Sequence, residues 1–360
     1  MRFEDLGRYD YSLPPELIRK KGVEPRDSAR LFVYDTKTDE IYNDFFYNLA
    51  KYLPSGALMV LNETRVVPAR LWLKKETGGK IEVFVLANEW DGNTVNIPVL
   101  VDRKVSAGQK LFFPDGSFFE VVRQEENKFY VRLKFSGLTA EKTLEVLLDT
   151  YGETPLPHYL EGEKEDAETE LRRRYQTVFA KTGASVAAPT ASLHFTDRVF
   201  ASLDAKGIGI AKVTLDVGQG TFAPLREENF VTKRLHRERI EVSEETAKKM
   251  NETLSDPVTG SGRPIVAVGT TALRTLESIS DESGFHVYSG STDIFIYPPH
   301  TFHSADILIT NFHLPKTSLM LLVDAFLEHK DARRRIVPLY EEAIRERYAF
   351  YSFGDSMLIL

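Results

Sequence analysis

The chain has 360 residues, a formal net charge of −7, 42% hydrophobic residues and no cysteine. That length suits about two domains of ~150 residues, and the missing cysteine excludes disulfides, a thiolate nucleophile and thiolate-held metal or iron–sulfur centres. The acidic balance argues against a protein that coats nucleic acid non-specifically; no apolar run approaches the ~18 residues of a membrane span, and the start, MRFEDLGRYDYSLPPEL, carries no apolar secretory core, so a cytoplasmic protein is expected.

In chain order, Asp10–Lys20 reads as an extended arm entering a short helix, punctuated by Pro14 and Pro15. Arg30–Tyr34 is a short strand, Asn43–Leu53 has a helical pattern, and Ala57–Leu61 (ALMVL) is a fully buried strand leading into Asn62-Glu63-Thr64-Arg65. From Leu71 to Phe135 strand follows strand: Ile81–Leu86, Val95–Val101, Gln109–Phe113, Phe118–Arg123 and Phe129–Phe135. Glycine turns separate them, which predicts an antiparallel barrel or sandwich. A helix is expected over Thr139–Tyr151, with Leu144, Leu147, Leu148 and Tyr151 on one face and Gly152 at its C-cap. We therefore expect a small inserted antiparallel β-barrel-like domain at 67–150, with 1–66 and 151–360 forming one discontinuous α/β catalytic domain.

After Gly152 helices and strands alternate. Thr196 caps a helix with Val199, Phe200 and Leu203 inward, and strand Ile208–Val217 follows. Next come a helix behind Ser243, strand Ile265–Val268, helix Ala272–Ile279, strands Asp293–Tyr297 and Ile307–Thr310, and helices Ser318–Leu327 and Val337–Arg347. This alternation predicts a three-layer α/β domain around a mixed, partly parallel sheet.

Several stretches have the residue types of a site. Ser185–Phe195 (SVAAPTASLHF) is a run of small residues broken by Pro189 and closed by His194. It reads either as a packed turn or as a pocket wall against which a small molecule lies. Three strands end in Asp216-Val217-Gly218, in Gly269-Thr270-Thr271 and in Asn311-Phe312-His313. Open α/β sheets bind ligands beyond the carboxyl ends of their strands, so Asp216, Thr270, Thr271, Asn311 and His313 converge if these strands are neighbours. Gly218 and Gly220, followed by Thr221, lack the third glycine of a dinucleotide fingerprint and form a tight turn or a ligand loop. Gly269-Thr270-Thr271 is an ordinary helix start or an anion-facing one. No P-loop occurs, which argues against ATP or GTP hydrolysis. His300, His303 and His313 do not have the helical HExxH spacing, so no metal is expected. Ser185, His194 and Asp216 could form a nucleophilic triad, but no GxSxG elbow exists. Glu153 is either a surface acid or a carboxylate held on a rigid loop at the domain junction. The basic runs Arg172–Arg174, Lys233-Arg234 with Arg237 and Arg239, and Arg333–Arg335 are solvated faces or phosphate-binding patches.

Long blocks carry a resemblance from end to end: LNETRVVPARL (61–71), GGKIEVFVL (78–86), GETPLPHYL (152–160), RYQTVFA (174–180), SVAAPTASLHFT (185–196), VTLDVGQGTFAPL (213–225), VGTTALRTLES (268–278), TDIFIYPP (292–299), LITNFHLPKTSLMLLVDAF (308–326) and YSFGDSMLI (351–359). In these the chain resembles the S-adenosylmethionine:tRNA ribosyltransferase-isomerase family of queuosine biosynthesis. The resemblance implies that the ribosyl part of S-adenosylmethionine is transferred and isomerised onto 7-aminomethyl-7-deazaguanine at the tRNA wobble position. Epoxyqueuosine-tRNA forms, and adenine and methionine leave. S-adenosylmethionine is then a co-substrate, no cofactor is needed, and an asymmetric RNA substrate suits a monomer. Such chemistry calls for acid–base groups tuned by their surroundings. Asp216 and His194 are the expected pair, with Glu153 and His313 in reserve. Ser185, Pro189, Thr190, Ser192, Gly218, Gly220, Thr221, Thr270, Thr271 and Asn311 are expected around S-adenosylmethionine. Arg65, Arg70, Arg172, Arg174, Lys233 and Arg234 are expected on the anticodon stem-loop. The family pattern has His where this chain has Asp216 and Gly where it has Ser192. Two rivals remain, an S-adenosylmethionine-dependent tRNA methyltransferase and a non-catalytic tRNA-binding protein.

Overall fold

A computed structural model describes residues 1–137, 143–156, 167–218, 220, 223–254 and 262–360. Strands β1 (Arg30–Asp35) and β2 (Glu40–Phe45) form a hairpin, and helix α1 (Leu49–Tyr52) leads into β3 (Leu58–Asn62) and β4 (Thr64–Val66). Then follow β5 (Arg70–Lys75), β6 (Lys80–Val85), β7 (Ile97–Val101), β8 (Lys110–Phe112), β9 (Phe118–Glu125), β10 (Lys128–Lys134), α2 (Leu144–Tyr151) and β11 (Gly152–Glu153). The next stretch holds α3 (Glu168–Arg174), β12 (Thr182–Ser185), α4 (Asp197–Ala205), β13 (Gly209–Leu215), α5 (Glu227–Thr232), β14 (Arg234–Val242) and α6 (Glu244–Leu254). The chain finishes with β15 (Ile265–Val268), α7 (Gly269–Ile279), the small hairpin β16 (Ser280–Asp281) and β17 (Gly284–Phe285), β18 (Tyr288–Ile294), β19 (Ile307–Asn311), α8 (Ser318–His329), α9 (Ile336–Arg345) and β20 (Ser356–Ile359).

The large mixed sheet has nine strands in the order β18-β14-β13-β3-β15-β19-β20-β1-β2. Its centre is parallel: Leu58 of β3 lies opposite Gly209 on one side and Ile265 on the other, and Val266 lies opposite Ile307. Every residue of β3, β15 and β19 is buried. Parallel strands covered on both faces need apolar residues at successive positions, which is why ALMVL and IVAV read as unbroken runs. Alternation sorts them into two cores. Leu58, Val60, Ala267 and Leu308 pack with α7 and α8 on one face, while Met59, Leu61, Val266 and Ile309 pack with α1 and α4 on the other. Asn62 closes the β3–β13 pair, its side chain donating to Leu215 O (2.9 Å) and accepting from Leu215 N–H (3.0 Å), as a peptide group would.

A separate antiparallel sheet runs β11-β5-β6-β7-β10-β9-β8, and β5 also pairs with β8, Lys74 opposite Phe112. It has its own core, where Leu71, Val83, Ile97, Phe119 and Val131 meet Leu144, Leu147 and Leu148 of α2.

Two local expectations are corrected, and two strands appear that were not expected. Asn43–Leu53 is only helical from Phe46 onward, because Glu40–Phe45 pairs with β1 first. The strand expected at Asp293–Tyr297 lies earlier, at Tyr288–Ile294, set by pairing with β14. β14 itself was hidden by its charges, since RLHRERIEV puts Glu238, Ile240 and Val242 on the buried face. β20 escaped notice because it closes the sheet only through long-range pairing with β1 and β19. The start of the helix expected over Thr139–Tyr151 falls partly outside the described residues, and Thr143 caps the part that is described. Among the described residues no helix is long and apolar enough to cross a membrane.

Gly152 ends α2 and begins β11, pairing with Leu71 of β5. A Cβ here would sit 1.9 Å from Pro68 O and 2.5 Å from Leu148 O, both backbone atoms. Gly152→Ala is expected to destabilise by about 1–3 kcal/mol, the usual range for overpacking. Urea unfolding should show a lower midpoint at an unchanged m-value. Gly7→Ala, where a Cβ meets nothing within 4 Å, is the matched control.

Candidate active site

Because β13, β3, β15 and β19 run the same way, their carboxyl ends share one edge of the sheet. A cleft of about 740 Å³, open to solvent, lies there against Pro189, Thr190, Val217, Thr270, Thr271, Asn311, His313 and Tyr351. Strand β15 turns into α7 without a linker, which requires Gly269 at φ 84°, a left-handed conformation that favours glycine. No side chain caps α7, whose N-cap is Val268. Asn311 is 2% exposed; its amide nitrogen donates to Tyr351 O (2.9 Å) and its Oδ1 has no protein partner. Thr271, 6% exposed, likewise leaves Oγ1 unpartnered. Buried polar atoms without partners are uncommon and call for a reason.

His313 stands at the same edge. Its Nε2 meets Thr310 Oγ1 at 2.9 Å, its backbone N–H donates to the Tyr340 hydroxyl (3.1 Å), and its carbonyl accepts from the Tyr11 hydroxyl. Burial pushes its pKa down to about 3, so the ring is neutral at physiological pH.

Asp216 does not join this group, which corrects the expected convergence. Val213, Leu215 and Val217 face one core, and Val217 lines the cleft. Successive side chains of an extended chain point to opposite faces, so Asp216 faces away. Its Oδ1 accepts from Thr64 Oγ1 (2.7 Å) and Ala184 N–H (2.9 Å), and burial is the foremost cause of a raised pKa. It lines a different, polar cleft of about 1370 Å³ with Glu63, Lys181, Arg239 and Glu241. Gly183, at φ 90°, packs so closely that a Cβ would lie 2.2 Å from Asp216 Oδ1.

His194 is also elsewhere. Its Nδ1 faces Ala191 O (3.2 Å) and its Nε2 faces Gly354 O (2.9 Å), and a neutral imidazole can donate to only one of them. Desolvation nevertheless dominates and lowers its pKa. It lines a smaller cleft of about 380 Å³ with Arg26, Arg174 and Phe353.

From the small-residue run, Pro189 and Thr190 line the main cleft. Ser185 instead braces the end of β13, its Oγ accepting from Val217 N–H (2.6 Å), and Ser192 is fully buried in a 3-10 turn over Thr190–His194 with Oγ unpartnered. Gly218 donates its N–H to Glu238 Oε1 (3.2 Å), and Glu238 pairs with Arg274 in a buried ion pair. A Cβ on Gly220 would lie 2.3 Å from the His236 ring. Thr221 lies outside the described residues. Glu153 accepts from Trp72 Nε1 (3.2 Å) where β11 meets β5.

The arginines divide by their partners. Arg172 reaches Glu168, Asp149 O and Gly152 O, so it ties α3 to α2 and β11. Arg174 pairs with Glu170 (2.7 Å) and Arg70 with Glu82 (3.6 Å). Arg65 and Arg234 are more open, with contacts to Asp149 (3.7 Å) and Asp293 (3.2 Å), and Lys233 is exposed. The cleft residues Thr310 and Tyr351 and the Glu238–Arg274 pair were not anticipated. For Glu238 the available signal was an acid in register with Ile240 and Val242, pointing into a core.

A family model described as queuosine biosynthesis protein matches residues 6–359. Relatives named S-adenosylmethionine:tRNA ribosyltransferase-isomerase include one from Carboxydothermus hydrogenoformans, 42% identical over 99% of this chain and 99% of its own. Another, from Moorella thermoacetica, is 42% identical over 100% of both chains. The crystal structure of an S-adenosylmethionine tRNA ribosyltransferase from Thermotoga maritima aligns with TM-score 0.53 and 33% identity over 98% of this chain and 99% of that one. With the family model and these relatives matching essentially end to end, the chain belongs to the queuosine biosynthesis protein family.

Proposed function

We propose that the protein is an S-adenosylmethionine:tRNA ribosyltransferase-isomerase. It transfers and isomerises the ribosyl moiety of S-adenosylmethionine onto 7-aminomethyl-7-deazaguanine at the tRNA wobble position. The observation that carries this reading is the full-length identity to enzymes of that name. The cleft at the carboxyl edge of the parallel strands supports it, since this is where α/β sheets hold small substrates.

The chemistry sets demands on the cleft. The sulfonium acidifies the C5′ hydrogens, so a weak base suffices to remove one. Adenine leaves with a proton, and the aminomethyl group must be neutral to attack. His313 is a neutral imidazole beside the cleft, able to hydrogen-bond there but held from taking up a proton by the burial that lowers its pKa. Asp216, with its raised pKa, holds a proton closer to neutrality than an ordinary carboxyl but faces the polar cleft. On this reading His313 is the neutral hydrogen-bonding imidazole at the cleft, and Asp216 and His194 support the walls that flank it.

We read 67–150 as an inserted barrel-like domain on the strength of its separate core and the β5–β8 pairing. A monomer working on cytoplasmic tRNA, with no cofactor, completes the proposal.

Incubation with S-adenosylmethionine and tRNA carrying the aminomethyl-deazaguanine, read by mass, should yield free adenine, methionine and epoxyqueuosine-tRNA. Release of S-adenosylhomocysteine, or binding of tRNA without consumption of S-adenosylmethionine, would overturn the assignment.

For tRNA, Lys233, Arg234 and Arg65 are proposed as phosphate contacts, because they are the more accessible of the expected cations. Lys233→Glu should weaken tRNA binding and reduce the slope of log K against log salt by roughly 0.7–0.9, the value of one phosphate contact. An unchanged slope removes Lys233 from the interface.

The buried histidines also set a stability signature. Unfolded imidazoles bind protons below about pH 6.5, whereas burial lowers the pKa of both His194 and His313 in the folded protein. Folding stability should therefore fall as pH drops below about 6.5, by up to ~1.4 kcal/mol per pH unit for each histidine. Asp216 acts oppositely, since its raised pKa favours the folded state at low pH and that contribution is lost as pH rises through the folded pKa. Denaturation of His313→Gln between pH 6.5 and 5 should show a shallower slope than wild type; an equal slope would mean His313 is not held neutral.

A further inference from the structure

The main cleft has an uneven chemistry. Among the described residues that line it none carries Asp, Glu, Lys or Arg. Yet two of its side chains, Asn311 and Thr271, are more than nine-tenths buried and leave an oxygen without a partner. The orientation of Asn311 is fixed, because its amide nitrogen is engaged by Tyr351 O. Its free atom is therefore Oδ1, an acceptor without a protein donor. Opposite it is the start of α7, an eleven-residue helix with no side-chain cap. The first-turn N–H groups and the positive end of such a helix favour a carboxylate. Thr271 adds a hydroxyl at the same place.

Register places these two poles together. Val268, the last residue of β15, lies opposite Ile309 of β19, so the start of α7 and the end of β19 meet at one edge, where Thr270, Thr271 and Asn311 line the same cleft. A zwitterion also suits a cleft that presents dipoles and no formal charge.

We propose that this corner binds the α-amino-carboxylate end of S-adenosylmethionine, with the carboxylate on the start of α7 at Thr270 and Thr271 and the ammonium on Asn311 Oδ1. The inference rests on the function proposed above and assigns the polarity of the ligand within the cleft. It directs the sulfonium and nucleoside away from α7 and makes methionine, once released, a ligand of the same corner.

The test compares two ligands by calorimetry on the full chain: S-adenosylmethionine, and 5′-deoxy-5′-(dimethylsulfonio)adenosine, which keeps the nucleoside and sulfonium but lacks the amino acid. Asn311→Leu should raise the dissociation constant of S-adenosylmethionine at least tenfold and leave that of the analogue within twofold. Thr271→Val, nearly isosteric and free of the Tyr351 contact, should raise the first several-fold and spare the second, which separates the effect from misfolding. L-Methionine should compete with S-adenosylmethionine on the wild type and lose that ability in Asn311→Leu. Equal weakening of both ligands would overturn the proposal by moving Asn311 to the nucleoside end, and so would the absence of any effect on S-adenosylmethionine. If the wild type binds neither ligand, the proposed function fails as well; if it binds both and the variants behave as wild type, only the assignment of this corner fails.

Discussion

The parallel register at the centre of the large sheet is the constraint on which the remaining features depend. β3 is held between β13 and β15, with Leu58 opposite Gly209 and Ile265 at once. Three connections must therefore return across the faces of the sheet, and their turns collect at one edge. At that edge one side chain stands in for a peptide group and further backbone bonds satisfy the strand ends. Asn62 bonds both ways to Leu215, Glu63 N–H donates to Val213 O (2.9 Å) and Lys181 N–H to Glu63 O (2.9 Å). Buried strand ends without such partners would leave amide groups unsatisfied. The LNETR stretch thus serves first to hold the strand ends together.

The same edge explains why the expected acid–base groups part company. A strand end offers two faces, and Val217 and Asp216 take one each. What connects the two sides is Glu238, which accepts from Gly218 N–H and pairs with Arg274 of α7. Arg274 and Thr270 are one helical turn apart, so the ion pair ties the loop after β13 to the helix that borders the cleft. Both partners are almost wholly buried. Removing one partner of such a pair costs about 3–5 kcal/mol, because the other charge stays desolvated.

Much of this was legible in the residues, and for stated reasons. Runs such as ALMVL and IVAV announce strands covered on both faces, and the glycine-punctuated strands from Leu71 onward announce an antiparallel sheet. Thr270, Thr271, Asn311, His313, Pro189 and Thr190 were all found from strand ends and small residues, and all line one cleft. What was not legible depends on long-range pairing or burial. β14 hides a core acid inside a charged strand, and β20 exists only beside β1 and β19. Arg172 belonged to a basic run, but three acceptors drawn from α2, β11 and α3 enclose it. Sequence counts charges; only the fold shows which of them already have partners.

If S-adenosylmethionine occupies the cleft as proposed, the lack of Asp, Glu, Lys and Arg among its described lining residues fits the reaction. A formal negative charge beside the sulfonium would stabilise it strongly in the ground state, and stabilisation equal in ground and transition states does not raise the rate. Dipoles fixed by the fold avoid that. The start of α7, Asn311 Oδ1 and the Thr310–His313 contact are held in place by backbone and burial. They can hold a zwitterion without reorganising, which is the physical content of preorganisation. His313 is consistent with this. A solvated imidazole would be partly charged near neutrality, and the cation would repel the sulfonium. Buried and neutral, it can face the cleft without that repulsion. The burial that lowers its pKa is supplied by the turn that follows β19, and so by the same parallel strands that gather the other cleft residues.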